Sequence, residues 1–338
     1  MRVTVIGKQF PDSLARNFSV TLQHMGYTVQ EIDEDRVAGV AFVRDRIRRV
    51  HRLAELHPKF HELRDRRVTR AVLASTPDVV LNTYAGWHPD AVAEARSGLR
   101  PRVPLIFLYP DPTAHLVREF PLAAGYDVLY FKDPHSVAMF RSRLGINAHY
   151  LPEACNSRWH RPVDLTPRDV ATYGCDLTTA GSLYYYRALQ LEPFAGYDMK
   201  IWGTNLPGWM SLPVRSRYVD RFIAEEEKAR AFRAAKIVLN THTEKEFAGT
   251  NARTFEAAGC GAFQIADWRP VLADLFDPDH EIVTYESREE LKEKVDFYLA
   301  HPDARRRIAE AGCRRAHAEH TYEHRIRTMF SMVLGTAA

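Results

Sequence analysis

The sequence predicts an α/β protein built from two doubly wound, Rossmann-like halves, and three observations carry that prediction. Its 338 residues exceed one typical domain. Nearly continuous apolar runs of strand length recur along the chain, as parallel strands buried on both faces require. Helix-length stretches stand between them, and strand–helix alternation gives right-handed βαβ units in a doubly wound sheet. The alternation runs twice, over 1–155 and 175–320, and residues 156–174 between them hold two prolines, several charges and no clear period, which reads as a linker. A last segment, 321–338, is expected to be a helix packing back on the first half.

In the first half, Arg2 to Gly7 reads as a strand, Ser13 to Met25 as a helix ended by Gly26, and Tyr27 to Ile32 as a second strand. A long charged helical region follows over Val37 to Ala74. Pro77 to Asn82 is a third strand, Pro89 to Arg96 a helix, Val103 to Tyr109 a fourth strand, Tyr126 to Phe131 a fifth, Ser136 to Leu144 a helix, and His149 to Pro152 a sixth strand. In the second half, strands are expected at Cys175 to Ala180, Asp198 to Trp202, Lys236 to Asn240, Ala262 to Ala266 and 281–285. Helices are expected at Tyr184 to Leu191, Tyr218 to Ala235, near 270–276, Ser287 to Ala300 with a Ser287/Glu290 capping box, 302–319 and 321–334.

Composition excludes several classes. A net charge of +3 gives no bulk electrostatic case for nucleic acid. The cysteines Cys155, Cys175, Cys260 and Cys313 form no C-x-x-C pair, which argues for reduced structural thiols in a cytoplasmic protein. Met1 to Gly7 lacks the length of a signal peptide, and no run approaches the ~20 apolar residues of a membrane span. The basic segments Arg44–Arg49 and Arg64–Arg67 would suit an anionic partner or peripheral contact with a membrane surface, but interleaved acids favour a solvated helix face. His51, His57, His61, His317, His320 and His324 match no metal-ligand spacing, and no metal site is expected.

The chemistry concentrates in the second half. Thr250 and Asn251 are good N-caps for a short helix, Arg253 and Glu256 share one of its faces, and Gly261 fits its exit. A helix N-terminus with an arginine suits a diphosphate, and a carboxylate one turn on can accept from ribose hydroxyls. The bland alternative is a core helix with a surface ion pair. Gly181-Ser182 lies between a strand and a helix, where doubly wound sheets bind ligands, and Arg187 can reach the same place. Trp202-Gly203 also ends a strand and would stack on, or closely approach, a base; a core tryptophan is the alternative. In the first half, His88 and Asp111 stand in loops after the third and fourth strands, expected to open into the cleft between the halves, as acid/base or acceptor-binding groups; their alternative is capping of a helix and a turn. Gly7 stands alone, so a dinucleotide fingerprint is absent.

Gly181-Ser182 with Arg187, then Ile201-Trp202-Gly203, then Asn251-x-Arg253-x-Phe255-Glu256-Ala257-x-x-Cys260-Gly261, together with the stretch from His301-Pro302 to Tyr322, resemble the C-terminal half of CgeB-like glycosyltransferases. The resemblance covers about residues 175–330. It implies a GT-B fold, with two Rossmann-like domains facing across a cleft, and metal-independent transfer of a sugar from a nucleotide diphosphate donor to an acceptor such as a natural product, a cell-surface glycan or a protein. The nucleotide sugar would be a co-substrate, with no cofactor. Glu256 matches the family's ribose carboxylate, Thr250, Asn251 and Arg253 its diphosphate-facing positions, and Gly181-Ser182 its glycine turn. Many related enzymes carry an earlier glutamate where Ala248 stands here, with Glu246 just before it. A nucleotide-sugar epimerase of the same shape and a non-catalytic two-lobed binder are the rival expectations.

Overall fold

A computed structural model describes residues 1–39, 56–116, 118–204, 206 and 213–335. The chain forms two compact units: Met1–Leu151 with Arg325–Ala338, and Pro152–His324. The basic segment Arg44–Arg49, His51 and part of the expected 37–74 helical region lie outside the described residues; Pro58–Ala74 is helical.

The first unit holds six parallel strands, β1 (Arg2–Ile6), β2 (Thr28–Ile32), β3 (Val79–Asn82), β4 (Leu105–Tyr109), β5 (Val128–Phe131) and β6 (Ala148–Tyr150), in the order β2-β1-β3-β4-β5-β6. The central strands are buried along their length, as their unbroken apolar text requires. Ile6, Val80, Leu105, Phe107, Leu129 and Phe131 form the heart of the core, with Trp87 fully buried beside them. The final helix, Tyr322–Leu334, supplies Phe330, whose ring meets Tyr27 edge-on at 5.6 Å, and Met332, whose sulfur accepts from Tyr130 Oη at 3.2 Å.

The second unit repeats the plan with β7 (Cys175–Ala180), β8 (Met199–Gly203), β9 (Tyr218–Asp220), β10 (Ala235–Asn240), β11 (Gln264–Asp267) and β12 (Val283–Tyr285). All are parallel, in the order β12-β11-β10-β7-β8-β9. The strand order therefore reverses between β7 and β10, and the carboxyl ends of those two strands form the crevice where such sheets take ligands. All four cysteines are free thiols.

Two sequence expectations change. Residues 156–174 are not a plain linker: Pro167–Tyr173 is a helix, started by a capping box in which Thr166 Oγ1 accepts from Asp169 N–H at 3.1 Å and Asp169 accepts from Thr166 N–H at 3.0 Å. Trp159 and His160 before it are buried. Tyr218 to Ala235 does not begin as a helix, because Tyr218-Val219-Asp220 pairs with Ile201-Trp202-Gly203 as the edge strand and the helix starts only at Glu225. In the Arg64–Arg67 segment Arg66 and Arg67 are exposed, as on the solvated helix face the interleaved acids suggested, while Arg64 turns inward. Arg64 is buried and lies 3.4 Å from the Asp35 carboxylate, and Arg67 donates to the Ala38 carbonyl at 2.8 Å.

Glu34, which opens the short Glu34–Val37 helix after β2, is buried, and burial raises its carboxyl to about 7 despite the opposing charge of Lys8. The folded protein thus holds a proton there that the unfolded chain releases at ordinary carboxylate pH. Stability is undiminished at acid pH and falls as pH rises from the unfolded value to about 7. Glu34→Gln should add about 2 kcal/mol of stability at pH 8 and almost none at pH 4, a difference visible in urea melts at the two pH values. Equal gains at both would show that Glu34 does not titrate in this way.

Candidate functional site

At the end of β7 the chain turns at Gly181 with φ +111, a conformation that favours glycine. A Cβ there would sit 3.0 Å from one Arg253 nitrogen and 4.0 Å from an Arg187 nitrogen, so the absent side chain also makes room for two guanidinium groups. Both arginines are buried, Arg187 at 7% and Arg253 at 8% exposure. Arg187 Nε donates to the Thr241 carbonyl at 3.0 Å, and its Nη1 donates to the Ser182 carbonyl. Arg253 Nη1 donates to Asn240 Oδ1 at 3.1 Å, and its Nη2 donates to the Ala180 carbonyl. All four acceptors are neutral, and among the described residues neither arginine has a carboxylate at ion-pair distance. Burial, then the neighbouring Arg187 charge, pulls the Arg253 guanidinium down to about 9, and burial likewise lowers Arg187. Two buried like charges with no carboxylate in direct contact among the described residues form a site that an anion would stabilise.

Asn251 caps the Ala252–Gly259 helix, its Oδ1 accepting from Thr254 N–H at 3.2 Å. The small residues of this helix permit close backbone approach: a Cβ on Gly259 would lie 2.8 Å from the His160 carbonyl. Glu256, one turn in, is buried and its Oε1 accepts from Lys228 Nζ at 2.9 Å, with His160 Nε2 at 3.9 Å. Burial pushes that carboxyl up, but Lys228 and His160 outweigh it and hold Glu256 below the usual carboxylate range.

The structure brings Gly181, Arg187 and Arg253 together and places Ser182 at the exposed rim. It turns other expected site residues inward. Trp202 is 3% exposed, its Nε1 donates to Thr178 Oγ1 at 3.1 Å, and its ring packs on Tyr173 at 5.6 Å. The indole belongs to the core and has no open face for a base. Gly203 serves packing, since a Cβ would lie 2.7 Å from the Gly181 carbonyl oxygen and fix the turn differently. The Thr250 hydroxyl is not turned to a diphosphate: it is buried between His242 Nε2 at 2.8 Å and Thr254 Oγ1 at 2.6 Å. Asn251 spends its Oδ1 on the cap and its Nδ2 on Asn240 Oδ1 at 2.9 Å.

Lys228, His160, Asn240 and His242 were not anticipated. Lys228 carried a signal, standing on the apolar face of its helix with Ala231 and Phe232, where a lysine needs a buried partner. Asn240-Thr241-His242 is a polar run at the end of an apolar strand, the same signal that marks Gly181-Ser182.

In the first unit, His88 is the N-cap of the Pro89–Gly98 helix, its Nδ1 accepting from Asp90 N–H at 3.2 Å. It borders a cavity of about 510 Å³ also lined by His61, Asp65, Arg118 and Phe120. Asp111 is exposed in the bend after β4 and does not line that cavity, so the two are not brought to one pocket.

A family of glycosyl transferase-like proteins matches residues 187–331. The matched residues include both site arginines and Glu256. Over 194 residues the chain is 27% identical to the spore protein CgeB of Bacillus subtilis (strain 168), covering 52% of this chain and 58% of that protein. Over these stretches the second half is similar to CgeB-like glycosyl transferases, and the chain spans little more than half the length of that curated relative. Solved structures extend the likeness of fold beyond the glycosyl transferase-like domain to the whole chain. A sucrose-phosphate synthase from Thermosynechococcus elongatus aligns with a TM-score of 0.66 at 13% identity, covering 99% of this chain and 98% of that one. Anabaena Alr3699/HepE, solved in complex with UDP-glucose, aligns with a TM-score of 0.63 at 12% identity, covering 99% and 100%. The fold is GT-B in class, with two Rossmann-like units. Among the described residues, no helix is long and apolar enough to cross a membrane.

Proposed function

We propose that this protein transfers a sugar from a nucleoside diphosphate donor to an acceptor, without a metal ion, and that its second unit holds the donor. The observation that carries this reading is the pair of buried guanidinium groups beside the Gly181 turn, paired only with neutral oxygens. In the transfer, an acceptor nucleophile forms a bond to the anomeric carbon while the bond to the diphosphate breaks and its electron pair passes to the phosphate oxygen. Arg187 and Arg253 stand preorganised for that growing charge, and a buried setting strengthens their effect. Backbone N–H groups at the start of the Ala252–Gly259 helix add partial positive charge. Ser182 at the rim can meet the same diphosphate, and Glu256 is assigned to the ribose hydroxyls through its second carboxylate oxygen, the first being taken by Lys228. The complex of HepE with UDP-glucose favours a uridine donor for the first trial.

A thermal-shift series with UDP, GDP, dTDP, ADP and CDP, each with and without EDTA, tests the reading. A ligand at a hundred times its dissociation constant stabilises the fold by about 2.7 kcal/mol. One diphosphate should raise the midpoint equally in EDTA. A shift that EDTA abolishes would remove metal independence, and no shift with any of the five would remove the donor site. Product analysis with donor alone then separates epimerisation from transfer.

A further inference from the structure

Behind the two arginines runs a continuous chain of buried polar side chains. The Asp267 carboxylate, held by Arg269 at 2.9 Å, lies 2.5 Å from His242 Nδ1. His242 Nε2 is 2.8 Å from Thr250 Oγ1, which is 2.6 Å from Thr254 Oγ1. Asn240 Nδ2 reaches Thr254 Oγ1 at 2.9 Å, and Asn240 Oδ1 receives Arg253 at 3.1 Å. His242, Thr254 and Asn240 are fully buried, so water does not complete these bonds.

The direction of every proton follows from chemistry. A guanidinium only donates, which fixes the oxygen of the Asn240 amide towards Arg253 and its nitrogen towards Thr254. An ionised Asp267 only accepts, so His242 carries its proton on Nδ1. Neutral His242 then accepts at Nε2, which takes the Thr250 hydroxyl proton, and Thr250 in turn accepts from Thr254. Each group donates one way, from the Arg253 cation to the Asp267 anion.

We propose that Asp267, His242, Thr250, Thr254 and Asn240 are positioning residues, a one-way relay that fixes Arg253 for the donor diphosphate and holds His242 as its neutral Nδ1–H tautomer. The relay rests on the donor reading of Arg253. A second proton on His242 would point Nε2–H at Thr250 and turn the Thr250 hydroxyl onto Thr254, whose own hydrogen then loses its acceptor. The charged and titratable groups facing His242 are Asp267 at the end of β11, Arg269 just beyond it and Glu246 in its own loop, with Arg187 and Tyr285 bonded to the adjoining Thr241. Burial outweighs Asp267 and keeps His242 below the ordinary histidine range, so the relay is intact at neutral pH and is interrupted only on acidification.

Two measurements test this. Nitrogen-15 NMR of histidine-labelled protein at neutral pH should show a histidine signal protonated at Nδ1 and bare at Nε2 that is lost in His242→Gln. Its absence, or an Nε2–H tautomer, overturns the relay. Titration calorimetry then compares UDP with uridine, or the diphosphate and nucleoside of whichever base binds. Thr254→Val should weaken the diphosphate about tenfold, leave the nucleoside unchanged, and be rescued by Thr254→Ser. Equal losses for diphosphate and nucleoside, or none, overturn the positioning role while wild-type diphosphate binding still supports the donor reading. Wild-type protein that binds none of the five diphosphates overturns the donor reading and the positioning role with it.

Discussion

Arg253→Met should weaken binding of the nucleoside diphosphate by about thirtyfold and leave binding of the parent nucleoside nearly unchanged. A hydrogen bond to a charged group contributes about 1.5–3 kcal/mol, and thirtyfold lies inside that range. The substitution should not lower the melting temperature. Methionine fills much of the same volume, and the change removes a buried cation that stands against Arg187 and, among the described residues, has no carboxylate at ion-pair distance. Asn240 Oδ1 keeps its bond from Asn251 at 2.9 Å, so only the Ala180 carbonyl loses a donor. Loss of diphosphate affinity without loss of stability is the mark of a residue kept for its ligand. Calorimetric titrations with UDP and uridine, alongside a thermal melt, read both quantities. A large fall in melting temperature with unchanged diphosphate affinity would make Arg253 a structural residue and end its role in the site.

The second large effect is on stability. Glu256→Ala should destabilise the fold by about 3–5 kcal/mol, because it leaves Lys228 buried without its carboxylate. Glu256 is held below the usual carboxylate range, so its contribution is present above the unfolded value and is lost as pH falls through the folded one. The penalty of the alanine variant should therefore shrink in strong acid. Pairing Glu256→Gln with Lys228→Met removes both charges and should restore most of the stability. If Glu256 receives the ribose, that double variant should still bind nucleoside poorly. Near-native nucleoside affinity in a stable double variant would show that Glu256 serves Lys228 alone. Denaturant melts and nucleoside titrations of the three variants distinguish the two roles.

The architecture was legible because strand text in a parallel sheet is apolar on both faces, and Val79–Asn82, Leu105–Tyr109 and Val128–Phe131 announce themselves without alternation. The Tyr218–Asp220 strand was not, since three residues at a sheet edge carry too little pattern to outweigh the helical text that follows. Of the site, what depends on backbone was readable: the Gly181 turn and the capped helix at Asn251. What depends on side-chain direction was not. Thr250 and Trp202 sit at strand and helix ends, where ligands bind, yet both point into the protein, and spacing along a chain does not record which way a loop residue turns. His88 illustrates the remaining ambiguity, because capping and acid/base chemistry ask for the same residue at the same helix start.

The first unit is discontinuous in sequence, since Arg325–Ala338 joins Met1–Leu151 after the whole second unit has intervened. A ribosome therefore delivers residues 1–151 before the second unit and Arg325–Ala338 after it. The second unit, contiguous from Pro152 to His324, has all its residues in hand earlier and can fold as synthesis proceeds. Although Met1–Leu151 is translated before the second unit, its unit is completed after it, with Tyr27 waiting for Phe330 to emerge. No single cut in the gene separates the two units intact; isolating the first requires its last helix to be moved forward by circular permutation or supplied as a separate peptide.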